Sequence, residues 1–134
     1  MGLTIGQVAK AAGIGVETVR FYERQGVLAP PPRAGSGYRQ FPTDAVERLR
    51  FVRRAQRLGF TLREVKELLA LGADPDADRT DVRLRAQAKI DDVRKKINDL
   101  NRMLAQLVRL RDTCHGTGPA ANCPILTALN GAED

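Results

Sequence analysis

The chain of 134 residues contains no tryptophan, one histidine, two cysteines and no long apolar run. Each absence excludes something. No stretch approaches the roughly 20 apolar residues that span a bilayer, and the start Met1-Gly2-Leu3-Thr4 has no basic segment leading into an apolar one, so neither a membrane span nor a secretory signal is expected. A cytoplasmic protein is the expectation. With a single histidine there is no Ser/His/Asp spacing, and no glycine-rich phosphate loop follows a strand-like segment, so no catalytic constellation is visible and an enzyme is not expected. The length suits one domain, or a small domain with an appendage, and excludes a large multidomain architecture.

What is present is unevenly spread. Residues 1–72 hold 12 Lys/Arg against 6 Asp/Glu, whereas residues 73–134 hold 10 of each. The entire net charge of +6 therefore belongs to the first half. The aromatics follow it, since Phe21, Tyr22, Tyr38, Phe41, Phe51 and Phe60 are the complete set. A compact basic module with its own core predicts a polyanionic partner, most simply nucleic acid. A merely solubilising surface is the alternative that charge alone leaves open.

Thr4 is a good N-cap, with Gln7 three residues on as in a capping box. Ile5, Val8, Ala9 and Ala12 mark the apolar face of a helix that Gly13-Ile14-Gly15 interrupts. A second helix is expected from Val16 to Gln25, stopping at Gly26. Two short helices joined by a tight glycine turn form a helix-turn-helix pattern. Pro30-Pro31-Pro32 cannot continue a helix, and Arg33-Ala34-Gly35-Ser36-Gly37-Tyr38-Arg39-Gln40-Phe41 reads as a small β-hairpin, or wing. Thr43 or Asp44 is expected to cap a third helix with Ala45, Val46, Leu49, Val52 and Leu58 inward. Thr61 should cap a fourth, with Val65, Leu68 and Leu69 inward.

After a linker over 73–80 comes the clearest pattern of the chain. Over 81–112 there is no Gly or Pro, and Ala86, Ile90, Val93, Ile97, Leu100, Leu104 and Leu107 repeat at alternating spacings of four and three. That is a heptad seam. A lone helix of about 32 residues, roughly 48 Å long, cannot bury it on itself, so a second copy of the chain is the expected partner. Continued onward, the seam reaches Arg111 and Cys114. Residues 115–122 then form a loop before Cys123-Pro124 and a short apolar segment, so the only two cysteines flank one loop. Three readings stand open: a disulfide, two apolar fillers, or a thiolate pair for a soft ion. His115, Asp112 or a residue of another copy are the candidate further ligands. Tetrahedral structural zinc would want four.

These pieces, in this order, resemble the MerR family of bacterial transcription regulators. Thr4-Ile5-Gly6-Gln7-Val8-Ala9-Lys10 and Glu17-Thr18-Val19-Arg20-Phe21-Tyr22-Glu23-Arg24-Gln25-Gly26-Val27-Leu28 look like its helix-turn-helix. Gly37-Tyr38-Arg39-Gln40-Phe41 looks like its wing, and residues 50–60 like its second helix pair. Asp92-Val93-Arg94-Lys95-Lys96-Ile97, with Cys114 and Cys123-Pro124-Ile125-Leu126, looks like the dimerisation helix and metal loop of its metal-sensing branch, nearest to the mercury-resistance regulators.

The resemblance implies a mainly α fold. A winged helix-turn-helix DNA-binding domain would occupy 1–72 and a long antiparallel coiled-coil dimerisation helix 81–112, with a metal-binding loop, short helix and tail over 113–134. It further implies a homodimer on double-stranded promoter DNA that acts with RNA polymerase, realigning promoter elements when an effector binds. Carried over by residue, Thr18 and Arg20 would lie near bases or phosphates and Tyr22 on the DNA backbone, with core packing as the alternative for Tyr22. Arg33, Tyr38 and Arg39 of the wing would meet phosphates. Phe21 is expected in the core. Arg48, Arg53, Arg54 and Arg57 form either a solvated face or further phosphate contacts. Cys114 and Cys123 would hold the effector, a soft ion: mercury(II) first, with copper(I), silver(I) or gold(I), or a thiol redox response, as alternatives. The chain departs from the divalent-ion sensors at one place. Their third cysteine, at the start of the long helix, corresponds here to Arg79, as it is also missing from the monovalent-ion sensors.

Overall fold

Thr4 opens the first helix as its side chain demands. Its hydroxyl accepts the Gln7 N–H at 3.2 Å while the Gln7 side chain accepts the Thr4 N–H at 2.9 Å. This closed capping box starts α1 (Ile5–Ala12), which ends at Gly13 with φ 73°, a left-handed conformation suited to glycine. The computed structural model describes residues 2–29 and 40–131. The remaining helices are α2 (Val16–Arg24), α3 (Ala45–Arg57), α4 (Leu62–Ala73), α5 (Arg79–Asp112) and α6 (Pro124–Asn130), with a 3₁₀ turn at Ala120–Asn122. Among the described residues there is no strand, only one bridge, in which Leu3 and Phe41 exchange backbone bonds of 2.8 and 2.7 Å. The expected wing, with Arg33, Tyr38 and Arg39, lies outside the described residues.

The chain divides into two units, Met1–Arg85 and Ala86–Asp134. In the first, α1 packs on α2 and α3, and α3 on α4. Val8, Val19, Val27, Phe41, Leu49, Val52 and Val65 are fully buried at its centre. The inward positions of α3 recur at three and four residues, as a helix with one apolar stripe requires. Arg50 closes α1 by donating to the Ala11 carbonyl at 3.0 Å. Thr61 repeats the capping box with Glu64 at the start of α4.

Two local expectations fail. Neither Thr43 nor Asp44 gives α3 a side-chain cap; Asp44 stands at the N-cap position with helical backbone angles, and the helix grows from a turn closed by Ala45 N–H on Pro42 O at 3.0 Å. Leu58 is 70% exposed rather than inward. It follows the last turn of α3, where Gly59 reverses the chain at φ 95° and Phe60 N–H returns to Ala55 O. Ala55 and Phe60 take the inward place instead.

The long helix starts at Arg79, two residues earlier than expected, because Asp78 caps it. The Asp78 carboxylate accepts the Thr80 N–H at 3.2 Å, and Asp81 accepts the Asp78 N–H at 3.1 Å. The Thr80 bonds also hold the Asp78 carboxyl below its ordinary pKa. In the second unit the seam is unburied, with Ile90, Val93, Ile97, Leu100, Leu104 and Leu107 between 39 and 61% exposed. No helix of the described residues is long and apolar enough to cross a membrane.

Leu49→Ala should destabilise the first unit by about 2–5 kcal/mol through loss of burial and a residual cavity, and Thr61→Ala by about 1 kcal/mol through the lost cap. Urea denaturation followed by circular dichroism measures both. A Leu49→Ala midpoint equal to wild type would show that this position is not the core.

Candidate nucleic-acid interface and metal centre

The basic character of the first unit is carried by helix surfaces. On α2, Arg20 and Arg24 are exposed and Thr18 is half-buried. The Arg20 guanidinium donates from Nη1 to Glu17 Oε1 at 2.6 Å, one turn back on the same face. On α3, Arg54 and Arg57 are exposed and Arg53 is half-buried, three cations on one side of the helix, while Arg48 is exposed elsewhere on it.

Of the two neighbouring aromatics of α2, Tyr22 takes the core alternative and Phe21 does not take its expected place. Tyr22 is 5% exposed, and its hydroxyl donates to Gln56 Oε1 at 2.7 Å, linking α2 to α3. Phe21, expected in the core, is 41% exposed. The rings meet edge-on, 5.6 Å between centroids. Helix phase explains both placements. Val16, Val19 and Tyr22 recur at three-residue spacing and share the buried face, whereas Phe21 is rotated from it by about 100°. That spacing was the available signal for Tyr22; nothing in the sequence singled out Gln56.

The cysteines lie in the second unit. Cys114 follows the end of α5, and Cys123 is the N-cap of α6, with Pro124 in the first turn. The loop between them brings the sulfurs to 4.0 Å. Both cysteines are free and half-buried. Gly116, at φ 90°, turns the chain so that its N–H points at Cys114 Sγ, 3.4 Å away. The backbone N–H groups of Leu126 and Ile125, together with the Cys114 side chain, stabilise the Cys123 thiolate and lower its pKa, outweighing the opposing effect of burial. The sulfurs border an open cleft of about 270 Å³, lined also by His115, Pro119, Asn122 and Leu126. Asp112, a candidate further ligand, bonds to Arg111 Nε at 3.1 Å. Among the described residues no group of three or more His, Cys, Asp or Glu side chains is placed to hold an ion. The arrangement thus offers two sulfurs, the donor chemistry of soft ions.

A small helical head with a basic, partly exposed second helix, followed by a long helix ending in a dithiol loop, defines a helix-turn-helix regulator with an appended sensor loop. Comparison with known proteins agrees. Residues 3–71 match the MerR HTH family regulatory protein pattern, and residues 46–110 match the MerR DNA-binding pattern. The chain is 42% identical over 132 residues to a mercuric resistance operon regulatory protein of Serratia marcescens, covering 98% of this chain and 90% of the relative. Among solved structures, a lead(II)-bound transcription regulator of Ralstonia metallidurans superposes with a TM-score of 0.86 at 34% identity, covering 95% of this chain and 98% of that one. A mercury(II)-bound MerR regulator of Bacillus megaterium gives a TM-score of 0.72 at 36% identity, covering 97% and 99%. The chain belongs to the MerR family of transcription regulators, which are not enzymes.

In Cys114→Ser protein, the alkylation rate of Cys123 should rise with pH through a midpoint below that of ordinary cysteine. The amides that favour its thiolate remain in place, so the reactive form persists to lower pH. Iodoacetamide kinetics followed by mass spectrometry test this; a midpoint at or above the ordinary value would contradict the lowered pKa.

Proposed function

We propose that this regulator is a cytoplasmic homodimer whose effector is a soft, thiophilic metal ion, mercury(II) first, held by Cys114 and Cys123. The observation that carries this reading is the pair of free sulfurs 4.0 Å apart between two helix ends. A thiolate–metal bond is about 2.3 Å for zinc, so a linear two-sulfur site would span roughly 4.6 Å. The sulfurs need to separate by about 0.6 Å to share one ion in this way. The relatives that hold mercury(II) or respond to it support the first choice.

The cysteine count favours a second reading, a monovalent ion such as copper(I). The chain has no third cysteine to complete a three-sulfur site, and Arg79 opens the long helix. A two-coordinate ion, linear mercury(II) or copper(I), matches two thiolates.

The division of labour follows the chain. Residues 1–72 bind double-stranded promoter DNA, with α2 entering the major groove through Thr18 and Arg20 and the wing residues Arg33, Tyr38 and Arg39 on phosphates. Tyr22 can meet a phosphate only by redirecting its hydroxyl hydrogen from Gln56 Oε1, since its ring belongs to the core. Residues 81–112 pair with their twin along the exposed seam in an antiparallel coiled coil, and 113–134 form the sensor. At the promoter the dimer acts on RNA polymerase through the shape of the DNA. Ion binding alters that output only insofar as the DNA-distorting conformer binds the ion more tightly.

Titrating the reduced protein with mercury(II), copper(I) and zinc(II), followed by ultraviolet absorption and native mass spectrometry, should give stoichiometric uptake of a soft ion. Cys114→Ser or Cys123→Ser should abolish it. Uptake that survives both substitutions, or peroxide-driven disulfide formation with no metal uptake, would overturn the metal reading. Leu100→Arg places a charge in the seam and should yield a monomer in sedimentation; a persisting dimer would refute the coiled coil.

A further inference from the structure

We infer that Glu17 and Arg20 act as one reading unit for a G·C base pair, with Glu17 as the specificity-determining residue; this rests on the proposal that α2 enters the major groove. Both side chains are open to solvent, at 79% and 51% exposure, and Arg20 Nη1 donates to Glu17 Oε1 at 2.6 Å. As a stabilising element such an exposed i,i+3 pair contributes little. Its placement is also unfavourable for affinity alone. A carboxylate on the DNA-facing helix of a head with 12 Lys/Arg and 6 Asp/Glu repels the phosphates those cations attract.

The pair does, however, present a definite pattern. Beyond Nη1, the guanidinium keeps further N–H donors with no partner among the described residues, and the carboxylate keeps its second oxygen as an acceptor. Side by side these form a donor, donor, acceptor array. In the major groove a G·C pair offers the complement: guanine N7 and O6 accept, and the cytosine N4 amino group donates. The ion pair limits how the long arginine side chain can turn, so its donors are pre-aligned for guanine. The carboxylate accepts from cytosine and opposes any pair that places an acceptor there. The first turns of a recognition helix are where base edges are met, and Glu17 is the second residue of α2.

The test is selection of bound sites from a random-sequence duplex library, followed by titration of single-base variants over a range of salt. Wild type should enrich G·C at one position of each half-site. Glu17→Ala and Arg20→Ala should each relax that same position by about five-fold or more, leaving the other positions and the melting temperature unchanged. If Glu17→Ala keeps the wild-type preference while Arg20→Ala relaxes it, this inference falls and the helix assignment stands. If Arg20→Ala weakens all sequences equally and makes the salt dependence shallower, Arg20 is a phosphate contact and the inference also falls. If neither substitution changes selection or affinity, the assignment of α2 to the major groove falls with it.

Discussion

The rest of the molecule depends on an apolar seam that its own chain leaves open. A helix of 34 residues, about 51 Å long, presents Ile90, Val93, Ile97, Leu100, Leu104 and Leu107 in one row, all substantially exposed. Full burial of such side chains contributes roughly 1.5–3 kcal/mol each relative to exposure, and about half of that is still to be gained here. Summed over the seams of two chains, the gain is comparable with the estimated 4–15 kcal/mol that association costs in lost freedom. Met103 and Val108 flank the row and widen the apolar stripe, which adds to the gain. The neutral charge balance of residues 73–134 is compatible with the proposed pairing, because an excess of like charge on two identical helices would oppose it.

The basic head obeys a different rule. Its stability comes mainly from buried area, and well-closed helix ends add to it. Two capping boxes, at Thr4 and Thr61, satisfy helix-start N–H groups, and the Arg50 bond to Ala11 does the same for a carbonyl at the end of α1. Tyr22 then fixes α2 against α3 through Gln56. The cations on its helix surfaces then carry a net charge that attracts a polyanion.

Elements with a local cause were legible in the sequence. Thr4 with Gln7, and Thr61 alone, were sufficient signals for the start of two helices, and the structure adds Glu64 as the partner of Thr61. The heptad row was equally plain, because no Gly or Pro interrupts it. What the sequence did not disclose depended on tertiary partners. The spacing of Val16, Val19 and Tyr22 carried the phase that turns Tyr22 rather than Phe21 inward, but its partner on α3, Gln56, was not legible. The exposure of Leu58 followed from the reversal at Gly59, which moved Phe60 into the place that periodicity assigned to leucine. The cysteine pair was visible as a spacing, but its 4.0 Å separation came from the turns at Gly116 and Gly118. The Glu17–Arg20 pair was hidden in plain view, as two charges among many on a basic module.

The position of the two sulfurs bears on how an ion would be felt. Neither cysteine sits in the middle of the loop. Cys114 lies two residues past α5, and Cys123 is the residue from which α6 begins. An ion shared by both would therefore join two helix ends and leave the intervening glycines to absorb the change. A loop that held its ligands at its tip would dissipate such a bond in local rearrangement. To move a conformer from 1% to 99% occupancy, an effector must favour it by about 5.5 kcal/mol. The lowered pKa of Cys123 eases ion binding in every conformer that keeps those amides in place, so it does not by itself supply that difference. On the proposed two-sulfur site, the favourable difference would come from how well each conformer lets the sulfurs separate, so the spacing of two helix ends would be the quantity that the ion reads.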